Sequence, residues 1–217
     1  MLSAFKIIME KKIKNPDWGY LNRFKDENAQ IIALPIEEKR IVFFGDSITA
    51  GWKIHDPEFF INTNYINRGI NGQTTSQMLL RFRPDVIELK PEKVIILAGT
   101  NDIAGNTGPT TLEIILGNLI SMCELAKANS IKPVLCSLLP ALDYPWRKEK
   151  QPAEKIAALN SMIKQYTAIN NIIYVDYYSA MVNSQKGLKS IYSEDGVHPN
   201  KEGYYKMKSI LEPFISM

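Results

Sequence analysis

The sequence predicts an α/β protein: a five-stranded parallel sheet with helices on both faces. Two observations carry this. Five short apolar runs punctuate the chain, four of them continuous in Val, Ile, Leu or Phe, as strands covered on both faces require. Between the runs lie longer segments whose apolar residues recur every three or four positions, the mark of a helix with one buried stripe. Strand and helix alternate, and that order favours a parallel sheet.

The elements follow in order. Trp18, Leu21 and Phe24, after Asp17, have the spacing of an amphipathic helix packed outside the sheet, within a helical extension over 1–38. The first strand is Arg40–Phe44, and it ends abruptly in Gly45-Asp46-Ser47. Tyr65–Asn67 is a weaker second strand. A helix over Thr75–Leu89 carries Met78, Leu79, Phe82, Val86 and Leu89 on one face. Strand Lys93–Ala98 precedes a helix over Thr111–Asn129 with Ile114, Ile115, Leu119, Met122, Leu125 and Ala126. Strand Pro133–Ser137 leads to a helix over Ala153–Ile169 with Ile156, Leu159, Ile163 and Tyr166. Strand Ile172–Asp176 and a helix over Lys201–Ile215, striped by Tyr204, Tyr205, Met207, Ile210 and Leu211, complete the pattern. No repeat, low-complexity tract or linker interrupts it, so the 217 residues are expected to form one domain.

Composition narrows the function. The formal charge of +3 and the scatter of basic residues give no concentrated stripe for nucleic acid, and Glu10-Lys11-Lys12-Ile13-Lys14 is expected to be a solvated face. Cys123 and Cys136 have neither metal-ligand spacing nor a disulfide framework and are expected as buried free thiols. No run is long enough to span a bilayer. Met1–Met9 is too short, and too poor in a cleavage site, for an intact secretory signal. The expectation is a cytoplasmic protein, or a periplasmic or secreted one if a signal peptide has been removed.

Right-handed crossovers bring the C-terminal ends of all strands to one edge, where ligands of such sheets bind. Four segments converge there: Gly45-Asp46-Ser47, Asn67-Arg68-Gly69-Ile70-Asn71-Gly72, Gly99-Thr100-Asn101-Asp102 and Asp195-Gly196-Val197-His198. Acyl transfer to a serine needs a base, an acceptor that orients the base, and donors for the oxygen that gains charge. Ser47 can be the nucleophile, His198 the base and Asp195 its orienter. The backbone N–H of Ser47, the backbone N–H of Gly72 and the Asn101 amide can be the donors. Of the two histidines, His55 reads as part of a surface turn without a catalytic role.

These four blocks, in this order, resemble those of the SGNH hydrolases, also called GDSL esterases and lipases. The resemblance covers about residues 40 to 210. It implies a flavodoxin-like three-layer α/β/α fold, a triad of Ser47, Asp195 and His198, and an oxyanion hole from Ser47, Gly72 and Asn101. It implies no metal or organic cofactor, and a structural rather than catalytic Asp46. The style of the blocks is similar to bacterial members related to platelet-activating-factor acetylhydrolase and carbohydrate acetylesterases. Gln73 departs from the pattern, since many members carry an acidic residue after the glycine.

The segment after the fourth strand, residues 137–152, is long for a plain connection and carries Tyr144, Trp146, Arg147, Lys148 and Lys150. It reads as an aromatic platform for a sugar, as a basic lip for an anionic ester, or as a packed loop with solvated charges. Trp52 is expected to pack. The favoured activity is hydrolysis of short O-acyl, foremost O-acetyl, esters of carbohydrates or similar metabolites, with a small-molecule ester as partner and no nucleic acid. A lysophospholipase or acyl-thioesterase, acyl transfer to an alcohol, and a non-catalytic binding module on the same fold are the alternatives. A nucleotide-binding protein is disfavoured because the first strand-to-helix turn lacks a phosphate-binding glycine pattern.

Overall fold

The computed structural model describes residues 17–35, 39–61 and 64–215. Helix α1 (Lys25–Ala33) precedes β1 (Ile41–Gly45), which runs directly into α2 (Ser47–His55). There follow β2 (Tyr65–Gly69), α3 (Thr75–Asp85), β3 (Lys93–Leu97) and the short α4 (Thr100–Ala104). Next come α5 (Leu112–Ala128), β4 (Lys132–Cys136), α6 (Ala153–Ile169), β5 (Ile173–Val175), α7 (Tyr177–Met181) and α8 (Lys201–Ile215). The five strands pair in the order β2-β1-β3-β4-β5, every pair parallel.

The three layers follow from the period of two along each strand. Val42 and Phe44 of β1, with Val94 and Ile96 of β3, join Met78, Phe82, Leu119, Leu159 and Ile163 on one face, under α3, α5 and α6. Ile41, Phe43, Ile95 and Leu97 point the other way and join Ile48, Trp52, Tyr204, Met207 and Leu211, under α2 and α8. Both faces are covered, which is why these strands read as unbroken apolar runs. Trp52 is buried and stacks on Phe59 at 5.0 Å, the packing role expected of it. Cys123 and Cys136 are buried free thiols; burial pushes each up to about 12.

The helix expected over Thr75–Leu89 is shorter. Pro84 sits in its last turn, and Val86 (φ −129°) leaves the helical region, so the chain re-forms as a 3-10 turn over Ile87–Leu89. Leu89 is still buried against the sheet. The N-terminal extension also differs from expectation. Trp18 and Leu21 lie in turns and stay about half exposed; the helix starts only at Lys25. Its attachment is polar as well as apolar. Arg40 donates to the Ile31 and Leu34 carbonyls at the helix's end. Arg68 lies over the Phe24 ring at 4.5 Å and donates to Asn28 Oδ1. The expectation for residues 10–14 lies outside the described residues.

Candidate active site

The site begins with two glycines in register. Gly45 and Gly69 are paired at the ends of β1 and β2. A Cβ on Gly45 would come within 2.1 Å of Thr49 Oγ1 and 2.6 Å of the Leu97 carbonyl. A Cβ on Gly69 would meet the Ala50 nitrogen at 2.2 Å. Only glycine at both positions lets α2 start immediately at the strand ends, and Ser47 is its first residue. Asp46 caps that helix: Oδ1 accepts from the Ile48 N–H at 2.9 Å, satisfying one of the free donors of the first turn. The glycine before the serine is therefore a packing requirement, and the aspartate is a cap.

Ser47 Oγ lies 3.0 Å from His198 Nε2, although 151 residues separate them. His198 Nδ1 lies 2.7 Å from Asp195 Oδ2. The second carboxylate oxygen of Asp195 accepts from the backbone N–H of His198 at 2.7 Å and of Val197 at 2.8 Å. Burial acts to raise the Asp195 pKa, but the hydrogen bonds from the His198 ring, the His198 N–H and the Val197 N–H outweigh it and hold the carboxyl below its ordinary value. The loop is closed by a bridge between Ser193 and Pro199, and Ser193 Oγ bonds to the His198 carbonyl at 2.7 Å. Ser193 had no sequence signal beyond its place two residues before Asp195.

The donor side is built from the ends of β2 and β3. Gly72 has φ +75°, a left-handed conformation that glycine adopts without a steric penalty. Asn101 is buried in α4, and its Nδ2 donates to Asp46 Oδ2 at 3.1 Å. One amide hydrogen is spent there and the second is left to point elsewhere. Asn106, which sequence reasoning missed, ties this side together. Its Nδ2 donates to Asn101 Oδ1 at 2.8 Å and to the Gly72 carbonyl at 3.0 Å. Asp102 lies beneath and accepts from Thr75 through both the N–H and the hydroxyl. Burial raises Asp102 to about 6 against those bonds, and it also raises Asp46 to about 6.

The aromatic residues separate. Tyr144 is fully buried and cannot offer a face to a ligand, which corrects its expected place in a platform. Trp146 is 43% exposed, stacks on Tyr144 at 5.3 Å and leans on the His198 ring at 5.8 Å. Tyr144 is thus the support and Trp146 the open wall. His55 is not in a turn: it ends α2, stacks on Tyr204 at 5.3 Å, and shares a pocket of about 220 Å³ with Glu194 and His198. Trp52, one turn earlier in the same helix, is buried against the same Tyr204 ring at 5.7 Å, which sets the α2 end on Tyr204. Among the described residues, no group of three His, Cys, Asp or Glu side chains is arranged to hold a metal ion. No helix there is long and apolar enough to cross a membrane.

Comparison with known proteins gives the same picture. A Bacteroides fragilis protein of solved structure, assigned to the acylhydrolases, superposes with a TM-score of 0.90 at 48% identity, covering 93% of this chain and 98% of that one. A GDSL-like lipase from Bacteroides thetaiotaomicron superposes at 0.89 with 47% identity, covering 92% and 98%. The human platelet-activating factor acetylhydrolase IB subunit alpha2 is 24% identical over 194 residues, 87% of this chain and 81% of that protein. The Bacillus subtilis lipoprotein YqeF is 32% identical over 120 residues, 48% of this chain and 49% of the lipoprotein, so the match spans about half of that relative. The model of the GDSL-like lipase/acylhydrolase family matches residues 43–206, which takes in all four segments gathered at the sheet edge. With the fold, the order of those segments and most of its length in common, the chain belongs to the GDSL-like lipase/acylhydrolase family and is an ester hydrolase.

Proposed function

We propose that this hydrolase removes short O-acyl groups, foremost O-acetyl, from small molecules such as carbohydrates, through an acyl-enzyme on Ser47. The observation that carries the assignment is the relay from Ser47 Oγ to His198 Nε2 at 3.0 Å and from His198 Nδ1 to Asp195 Oδ2 at 2.7 Å. In the first step Ser47 Oγ attacks the ester carbonyl while its proton passes to His198 Nε2. The carbonyl oxygen gains charge and is met by the N–H groups of Ser47 and Gly72 and by the free hydrogen of the Asn101 amide. The imidazolium then gives its proton to the departing alcohol oxygen, which leaves the acyl group on Ser47. Water repeats the sequence and frees the acid. Asp195 accepts from Nδ1–H throughout and keeps Nε2 turned toward the serine.

Two observations support a short acyl group. The curated relatives that cover most of the chain carry the name acetylhydrolase, and the pockets bordering the triad loop are open and partly polar, with Glu194, Asn200 and Asp143 on their walls. Trp146, fixed on Tyr144 beside His198, gives a sugar ring an aromatic face on the side where the alcohol departs. A related domain occurs in a lipoprotein, which supports a place of work outside the cytoplasm.

The test is a screen of acetylated sugars, 4-nitrophenyl esters of increasing chain length and acyl-thioesters with wild type and Ser47→Ala. Wild type should turn over acetyl esters best, a fluorophosphonate should label Ser47, and the alanine variant should be inert but folded. Labelling at another residue, or an optimum at long acyl chains, would overturn the reading.

A further inference from the structure

We infer that the cavity beside Asn101 is an anion subsite, in which Lys150 and Lys155 receive a carboxylate or phosphate carried by the ester substrate. The inference rests on the hydrolase reading above and names a feature of its substrate. The cavity holds about 350 Å³ and has an apolar floor of Ile103, Leu112 and Ile115, with Thr110 on its wall. Both lysines line it.

The charges there are uncompensated. Among the described residues, neither the Lys150 nor the Lys155 ammonium has an ion pair or hydrogen bond. Two of the nearby acids are engaged elsewhere, and Glu149, beside Lys150 in sequence, pairs with neither lysine among the described residues. Asp102, the one carboxylate lining the cavity, is held by the Thr75 N–H and hydroxyl. Glu154, beside Lys155 in sequence, pairs with Lys186. Lys150 is half-buried, with its Nζ 3.2 Å from where a Cβ on Gly105 would stand. Lys155 lies in the first turn of α6, where the helix dipole opposes a cation. Lys150 is half-buried without a partner and Lys155 stands exposed beside it on the same cavity, so an incoming anion would meet both.

The cavity also lies where a substrate would reach it. Asp102 and Ile103 follow Asn101 in the same short helix. The next turn carries Asn106, which bonds to Asn101 and Gly72. Ser47, Asp195 and His198 do not line the cavity. The residues of the loop expected as a basic lip thus divide: Lys150 turns into the cavity, whereas Arg147 and Lys148 remain exposed outside it.

Two pairs of isosteric esters test this, each pairing a carboxylate with a neutral group of the same shape. The acyl pair is the 4-nitrophenyl half-ester of succinic acid and 4-nitrophenyl 4-methylpentanoate. The alcohol pair is 4-acetoxybenzoate and 4-acetoxybenzamide. Wild type should favour the anionic member of one pair by about five- to tenfold in kcat/KM, the scale of two partly exposed ion pairs. The preference should shrink as salt is raised. In Lys150→Met/Lys155→Met it should fall below twofold, with the neutral members unchanged. The pair that responds identifies the half of the substrate that carries the anion. A binding arm is independent of turnover: Ser47→Ala titrated with succinate and 4-hydroxybenzoate should bind one of them more tightly than its neutral amide, and the lysine substitutions should abolish the difference. Equal handling of both pairs, or a preference that survives the lysine substitutions, overturns the inference. Failure of the hydrolase reading looks different: neutral esters would then be untouched by wild type while the binding arm still decided the subsite.

Discussion

Arg81 Nη2 donates to the carbonyl of Gly45 at 3.1 Å, so a helix that follows the Gly72 loop grips the strand end that carries Ser47. The same guanidinium donates through Nε to Gln73 Oε1 and through Nη1 to Asp85 Oδ2 at 2.9 Å. It also lies over the Phe44 ring at 4.2 Å. Burial lowers the Arg81 pKa to about 10 against the pull of Asp85, and the group stays charged at neutral pH. One planar fork therefore joins the Ser47 turn to the turn of Gly72. Gln73, the departure from the family pattern, is the residue that meets the fork, and its own amide reaches the Gly19 carbonyl.

Arg81→Met should leave Asp85 as a buried charge without its partner and cost about 3–5 kcal/mol of stability. Urea unfolding measures this. Arg81→Lys keeps the charge but loses the fork, so it should fold, with kcat down by about 10- to 100-fold and KM within about twofold. A lysine variant with full kcat would show that Arg81 supports the fold and does not position the site.

Asn101→Ala should lower kcat by about 10²–10³-fold, the usual loss for one oxyanion donor, with KM little changed. Asn106→Ala leaves the donor in place but frees its carbonyl oxygen and the Gly72 carbonyl. Its loss should be smaller, about tenfold, and fall on the same parameter. Steady-state kinetics on one acetyl ester compares the two variants. A rise in KM alone would place Asn101 in substrate binding.

Asp195→Asn removes the acceptor that orients His198. The hydrogen bonds that hold the Asp195 carboxyl below its ordinary value keep it ionised from mildly acidic pH upward. The rate should therefore drop by about 10³–10⁴-fold across pH 5 to 9, with no alkaline condition restoring it. His55→Gln, which alters only a ring stacked on Tyr204, should keep near wild-type rates. A pH series on both variants decides, and a large loss in the His55 variant with a small one in Asp195→Asn would reverse their assigned roles.

Asp102 gives a prediction about stability. Its pKa is raised to about 6 in the folded chain, chiefly by burial, from an ordinary value of 3.8. A carboxyl that holds its proton more tightly when folded weakens the native state as pH climbs from about 4 to about 6. The penalty is complete above about 6, at roughly 3 kcal/mol for two units. Asp102→Asn cannot titrate. Its melting temperature relative to wild type should therefore shift upward between pH 4 and pH 7, whatever constant cost the lost acceptor brings. Differential scanning at both pH values measures it, and a difference that does not change with pH would rule out the linkage. Asp46 is also raised to about 6, chiefly by burial and further by the Asp102 charge, so removing that charge relaxes Asp46 in the same direction.

The sequence by itself determined the sheet, the helices at Leu112–Ala128, Ala153–Ile169 and Lys201–Ile215, and the four segments at the sheet edge. It could do so because hydrophobic period is local and because a parallel sheet admits one edge for its strand ends. It misjudged the stretch from Trp18 to Phe24, where helical spacing is present but most of the apolar residues find no core. Only the tertiary structure decided that Tyr144 is buried and Trp146 open, that Arg81 joins two turns, and that Asn106 braces Asn101. Only there do Lys150 and Lys155 share a cavity. Each of these depends on which side chains meet across long sequence separations, and burial and hydrogen-bond pairing at such distances leave no periodic trace in the chain.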